Sequence, residues 1–171
     1  MRDPSGSPDQ DIVRRQGAHN EEQASASAPR TGSPSVVLDT NVLVAAAFNP
    51  RSASAKIVDA VKQHRLRMAW NGATRREIER ILRQIPPLHA HSVAQLFRPE
   101  NHVTVTTHPE RFGEIPDPDD RKFAALALAA RAVLISNDEH LLKGRDQLDV
   151  PVLTPGEFWQ GRPRPSESPG A

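Results

Sequence analysis

Two uninterrupted apolar runs, Val36-Val37-Leu38 and Ala132-Val133-Leu134-Ile135, constrain this chain more than any other feature. A strand with no polar face must be covered on both sides, the pattern of a parallel sheet held between helical layers. The intervening sequence is helical in period. Asp39-Thr40-Asn41 leads into a helical stretch over 42–48, and Ala55, Ile57, Val58 and Val61 recur at helical spacing. Residues 74–84 read as a helix ended by Pro86-Pro87, residues 89–97 as another, and the alanine-rich segment over about 119–131 as a third. Further strands are expected over 66–70, over 102–107, where apolar and polar residues alternate, and over 150–153. Strands separated by helices imply parallel pairing through crossovers. The expected fold class is therefore α/β, a three-layer α/β/α domain with a central, mostly parallel twisted sheet.

This alternation fills residues 35–160, a length suited to one domain. Residues 1–34 hold few branched apolar side chains, and residues 161–171 read GRPRPSESPGA. Neither can bury enough surface to offset chain entropy, so both are expected to be disordered extensions.

Composition removes several kinds of chemistry. The chain has no cysteine, which excludes disulfides, thiolate metal sites and a cysteine nucleophile, and leaves oxygen or imidazole to hold any metal. No apolar run is long enough to span a bilayer, so a soluble, cytoplasmic protein without membrane contact is expected. A net charge of +1 neither supports nor opposes a polyanionic partner, whereas the absence of Tyr argues against a base-stacking platform. No phosphate-binding glycine loop and no H-E-x-x-H occur, and His64, His89, His91 and His140 read as surface or partly buried residues.

The acids are more informative. Asp39 directly follows the first strand and Asp138 closely follows the run ending at Ile135, so both should emerge at the carboxyl edge of the sheet, where sites form in such folds. Each also has a structural explanation as the cap of the next helix. Asn41 could orient Asp39 or be a cap itself. Asp117-Pro118-Asp119-Asp120 precedes the alanine-rich helix, and three carboxylates exceed what one cap needs. Glu77 closes Thr74-Arg75-Arg76-Glu77, which matches a capping box, and competes with Glu79, because only one of the two can face a site. Carboxylates gathered at one sheet edge repel, and a bound cation is the usual means of keeping them ionised. Magnesium or manganese suits an oxygen-only site that retains several waters. The chemistry this implies is metal-assisted hydrolysis of a phosphodiester.

The chain resembles the PIN-domain family, and in particular the VapC-like toxin ribonucleases of bacterial toxin–antitoxin pairs. The resemblance rests on Val36-Val37-Leu38-Asp39-Thr40-Asn41-Val42-Leu43-Val44, on Glu77-Ile78-Glu79-Arg80-Ile81-Leu82 and on Asp117-Pro118-Asp119-Asp120-Arg121-Lys122-Phe123. It continues through Leu134-Ile135-Ser136-Asn137-Asp138-Glu139-His140-Leu141-Leu142 and Thr154-Pro155-Gly156-Glu157-Phe158, in family order. It implies a PIN-like fold, dependence on Mg2+ or Mn2+, endoribonuclease activity on RNA, an antitoxin partner and a homodimer. Carried over by position, Asp39, Glu77, Asp120 and Asp138 are the catalytic acids, Asp39, Asp120 and Asp138 the metal ligands, and Asn41 the residue that orients the first. Asp117 matches an acid of this branch without being clearly a ligand. Two departures stand out: the N-terminal extension is long for a small toxin of this type, and Ser136-Asn137 precedes Asp138 where many toxins carry a threonine and a different small residue. An RNA-processing or DNA-directed nuclease, or a catalytically silent interaction module, remains the alternative. Arg75, Arg76, Arg80, Arg121 and Lys122 read mostly as solvated helix charges.

Overall fold

The computed structural model describes residues 32–86, 88 and 91–161. The two terminal extensions lie outside these residues, apart from a few positions at their inner ends. Four parallel strands form one sheet in the order β2-β1-β3-β4. They are β1 (Ser35–Leu38), β2 (Arg67–Met68), β3 (Val133–Ile135) and β4 (Val152–Leu153). The central pair is in register Leu38↔Ile135. Both strands are almost wholly buried, as their lack of a polar face requires.

Seven helices flank the sheet among the described residues: α1 (Thr40–Phe48), α2 (Ala53–Lys62), α3 (Gly72–Arg83), α4 (His91–Ala94), α5 (Arg121–Ala130), α6 (Glu139–Gly144) and α7 (Pro155–Gln160). Helix α5 packs against β1 and β3, α1 against α2, and α3 against both α1 and α5. The result is the expected three-layer α/β/α architecture. Its core is built on Val36, Leu38, Ile57, Ile78, Phe123, Leu126, Leu134 and Ile135.

Two local expectations are corrected. No strand forms over 102–107; a single parallel bridge joins Trp70 to His102. The reason lies in the partner: β2 has only two paired residues before the chain turns into α3 at Gly72, so nothing remains to extend the ladder. Val105, which the alternation would bury, is 60% exposed. Nor does α3 start with a box closed by Glu77. Asn71 is its cap, accepting from the Thr74 amide at 3.0 Å while Thr74 Oγ1 accepts from the Asn71 amide at 3.2 Å. Glu77 is thereby left free of the helix terminus.

The chain passes from α5 into β3 through Arg131, a non-glycine residue with φ 49°. The Ala132 amide bonds back to the Ala127 carbonyl at 2.9 Å, which closes the helix end and holds this turn. That closure sets where β3 begins.

Candidate functional site

The register of β1 and β3 brings the two residues following them together. The Asp39 amide continues the ladder by donating to the Ile135 carbonyl at 3.0 Å. Ser136, wholly buried, then donates its hydroxyl to Asp39 Oδ2 at 2.6 Å. The same hydroxyl oxygen accepts from the Asp138 amide at 2.9 Å, so one side chain fixes both sheet-edge acids. Asn41 donates to Asp39 Oδ2 at 3.0 Å and accepts from the Asn137 amide at 3.1 Å. It therefore orients Asp39 and ties the start of α1 to the loop after β3.

The acids divide by how far capping accounts for them. Asp39 occupies the cap position of α1 and Asp120 that of α5, yet neither side chain makes a cap hydrogen bond. Asp138 does cap α6: its Oδ1 accepts from the His140 and Leu141 amides at 2.8 and 3.0 Å. Asp117 is exposed and accepts from the Asp119 amide at 2.9 Å, a local turn that accounts for it structurally.

Asp39, Thr40, Asn41, Val44, Glu77, Ile81, Asp120 and Phe123 line one open cleft of about 270 Å³. Asp138 lies outside that lining, but its charge acts on both Asp39 and Asp120. Burial pushes the Asp39 carboxyl above its ordinary value; the Ser136 hydrogen bond and the neighbouring Asn41 and Thr40 amides oppose that, and the Asp138 charge adds to it. Asp120 is pushed up from 3.8 to about 7, first by burial, then by the charges of Asp39, Asp117, Asp138 and Asp119. Two carboxylates on one wall thus resist ionising together.

Glu77 and Glu79 part company. Glu79 pairs with Arg75 at 2.7 Å and Arg83 at 3.5 Å, along its own helix, and is not part of the cleft lining. Glu77 lines the cleft and pairs with Arg80 at 2.7 Å and with Lys122 of α5 at 3.4 Å. Lys122 also reaches Asp119 at 3.3 Å. The nearby cations, read mostly as solvated charges, divide in the structure. Lys122 is largely withdrawn from water, Arg121 donates to the Ile115 carbonyl at 2.9 Å, and Arg75 lies over the Trp70 and Phe97 rings. Arg76 and Arg80 are exposed, as solvated helix charges are. Sequence reasoning noted Ser136 and Lys122 but not their contacts with Asp39 and Glu77. Ser136 carried a signal, since a hydroxyl between a buried strand and an acid sits where only the ladder can bring it to Asp39.

The donors available to a cation are all oxygens. Among the described residues no three acids or histidines already converge at ligating distance, so an ion here would take much of its shell from water. The fit is otherwise good: Asp39 and Asp120 line the cleft with no cationic partner among the described residues, and Thr40, which also lines it, has its Oγ1 buried without a hydrogen-bond partner. Asp39 and Asp120 are the residues that could hold an ion there, and the charge of Asp138 acts on both.

This arrangement, strand-end acids above a parallel sheet, coincides with a family match. Residues 35–140 match the family model of the PIN domain, and the chain belongs to that family. It is 26% identical over 138 residues to an uncharacterized protein of Methanocaldococcus jannaschii, across 72% of this chain and 88% of that protein. Among solved structures it is similar to VapBC2 from Rickettsia felis, crystallised with a DNA fragment from its promoter. That match has a TM-score of 0.47 and 14% identity, over 70% of this chain and 98% of that one. No helix among the described residues is long and apolar enough to cross a membrane.

Proposed function

We propose that this chain is a metal-dependent endoribonuclease, the toxin component of a toxin–antitoxin pair. The observation that carries the reading is the convergence of Asp39, Glu77 and Asp120 on one cleft, two of them without a cationic partner among the described residues. A phosphodiester is itself an anion and would be repelled by such a wall. A Mg2+ or Mn2+ held by Asp39 and Asp120 would neutralise charge at the phosphoryl oxygens and favour ionisation of a bound water.

The chain's own residues have separable parts in this. Ser136 and Asn41 both bond Asp39 Oδ2, which holds the carboxylate in place. Asp120, with its value near 7, exchanges a proton close to neutrality until a cation favours the carboxylate. Glu77 faces the same space from α3. RNA as substrate, the antitoxin and the homodimer rest on the family resemblance.

The test is cleavage of total cellular RNA by wild type and by Asp120→Asn, each with manganese and with a chelator. Cleavage only by metal-loaded wild type is expected. Cleavage that persists in Asp120→Asn or in chelator would overturn the proposal. Manganese-dependent thermal stabilisation without cleavage of RNA, but with cleavage of DNA, would move it to a DNA-directed nuclease; no stabilisation at all would mark a silent module.

A further inference from the structure

One acid of the cleft, Glu77, is already paired with a cation that stands beside the cleft. Lys122 Nζ lies 3.4 Å from Glu77 Oε2 and 3.3 Å from Asp119 Oδ1, and its side chain is only 19% exposed. Arg80 adds a second positive charge on Glu77 at 2.7 Å. Asp39 and Asp120 have no such partner among the described residues. Negative charge is therefore compensated by the protein at the α3 end of the cleft and left uncompensated at the sheet-edge end.

We infer that Lys122 takes the place of a second divalent ion at the Glu77 end, so that the chain loads one ion, at Asp39 and Asp120. The inference rests on the metal-dependent reading above and specifies its stoichiometry. In a two-ion hydrolase the ions sit about 3.5–4 Å apart and need carboxylates facing both. Here the carboxylate facing the second position is Glu77, and it is held in ion pairs with Lys122 and Arg80. An ion arriving there would have to break those pairs and stand beside a partly desolvated ammonium. Lys122 does its work by positioning Glu77: it ties α3 to α5 and supplies a fixed positive charge that needs no metal loading.

The experiment is equilibrium dialysis of the full chain with Mn2+, together with low-temperature electron paramagnetic resonance of the loaded protein. Wild type should bind one ion per chain and give the spectrum of an isolated Mn2+. Lys122→Met, which keeps the stem and removes the charge, should gain a second ion and a spin-coupled spectrum. Lys122→Arg should remain at one. Two ions in wild type, or one ion bound equally tightly by Lys122→Met, would overturn the inference while leaving the metal-dependent reading standing. No ion in wild type would overturn both. Should Lys122→Met fail to fold by circular dichroism, Lys122→Gln replaces it with the same expectations.

Discussion

Ser136 and Asp39, 97 positions apart in sequence, share a 2.6 Å hydrogen bond because the parallel register sets the residues after Leu38 and Ile135 side by side. The bond is buried, so its loss leaves a carboxylate short of a donor inside the protein. Ser136→Ala should lower stability by roughly 1–3 kcal/mol, the usual effect of orphaning a buried polar group. It should also reduce cleavage, since Asp39 loses its strongest orienting contact. Urea unfolding followed by RNA cleavage checks both; a stability within about 0.5 kcal/mol of wild type would show the hydroxyl to be dispensable.

The two glutamates of α3 offer a second test with an internal control. Glu77→Gln removes charge from the cleft and should lower the cleavage rate by about 10²-fold or more, the scale seen when one electrostatic contact to a reacting group is lost. Glu79→Gln disturbs only the pairs with Arg75 and Arg83 and should leave the rate within about 2-fold, as expected for exposed helix pairs. Equal losses in both variants would remove the distinction that the structure draws between them.

How much of this was legible in the sequence depended on whether the deciding interaction was local. The strands β1 and β3 announced themselves through wholly apolar runs, and their parallel pairing then followed from helices lying between strands. The acids Asp39 and Asp138 were placed by the same logic, since a residue just past a buried strand has only the sheet edge to occupy. Glu77 against Glu79 was not legible: both fit an amphipathic helix, and the phase is settled by Lys122, 45 residues away, and by Arg75 lying on Trp70. The cap of α3 was misread because Thr74 fits both as a cap residue with Glu77 following and as the third residue after Asn71. The end of β2 decided in favour of Asn71. The absent strand over 102–107 failed for want of a partner, which no alternation pattern reports.

Asp138 combines a cap with a charge, and the two are separable. Asparagine caps helices about as well as aspartate, so Asp138→Asn should keep both amide contacts and change stability by less than about 0.5 kcal/mol. Asp138→Ala should lose about 1 kcal/mol with the cap. If the charge matters to the cleft, both variants should bind Mn2+ more weakly, whereas a purely capping residue would affect only the alanine variant. Thermal melts with and without Mn2+ distinguish these cases.

The raised Asp120 and Asp39 carboxyls make a prediction about pH in the metal-free protein. Asp120 titrates at about 7 when folded against 3.8 as an isolated group, so between those values the native state holds more protons than the unfolded chain. Stability must then fall as pH rises across that interval, and Asp39, shifted in the same direction, adds to the fall. Glu157 works the other way, because its pairing with Arg145 lowers it to about 2. Its contribution is complete above the ordinary glutamate value and is lost only as the solution is acidified towards 2, below most of the Asp120 interval. Melting temperatures of the chelated protein should therefore decline from about pH 5 to pH 7, with the Asp120→Asn variant showing a shallower decline. Saturating Mn2+ should reverse the trend, since an ion that needs both carboxylates ionised binds more tightly as protons leave. A chelated wild type whose melting temperature rises steadily over this range would show that Asp39 and Asp120 do not share an environment that resists their ionisation.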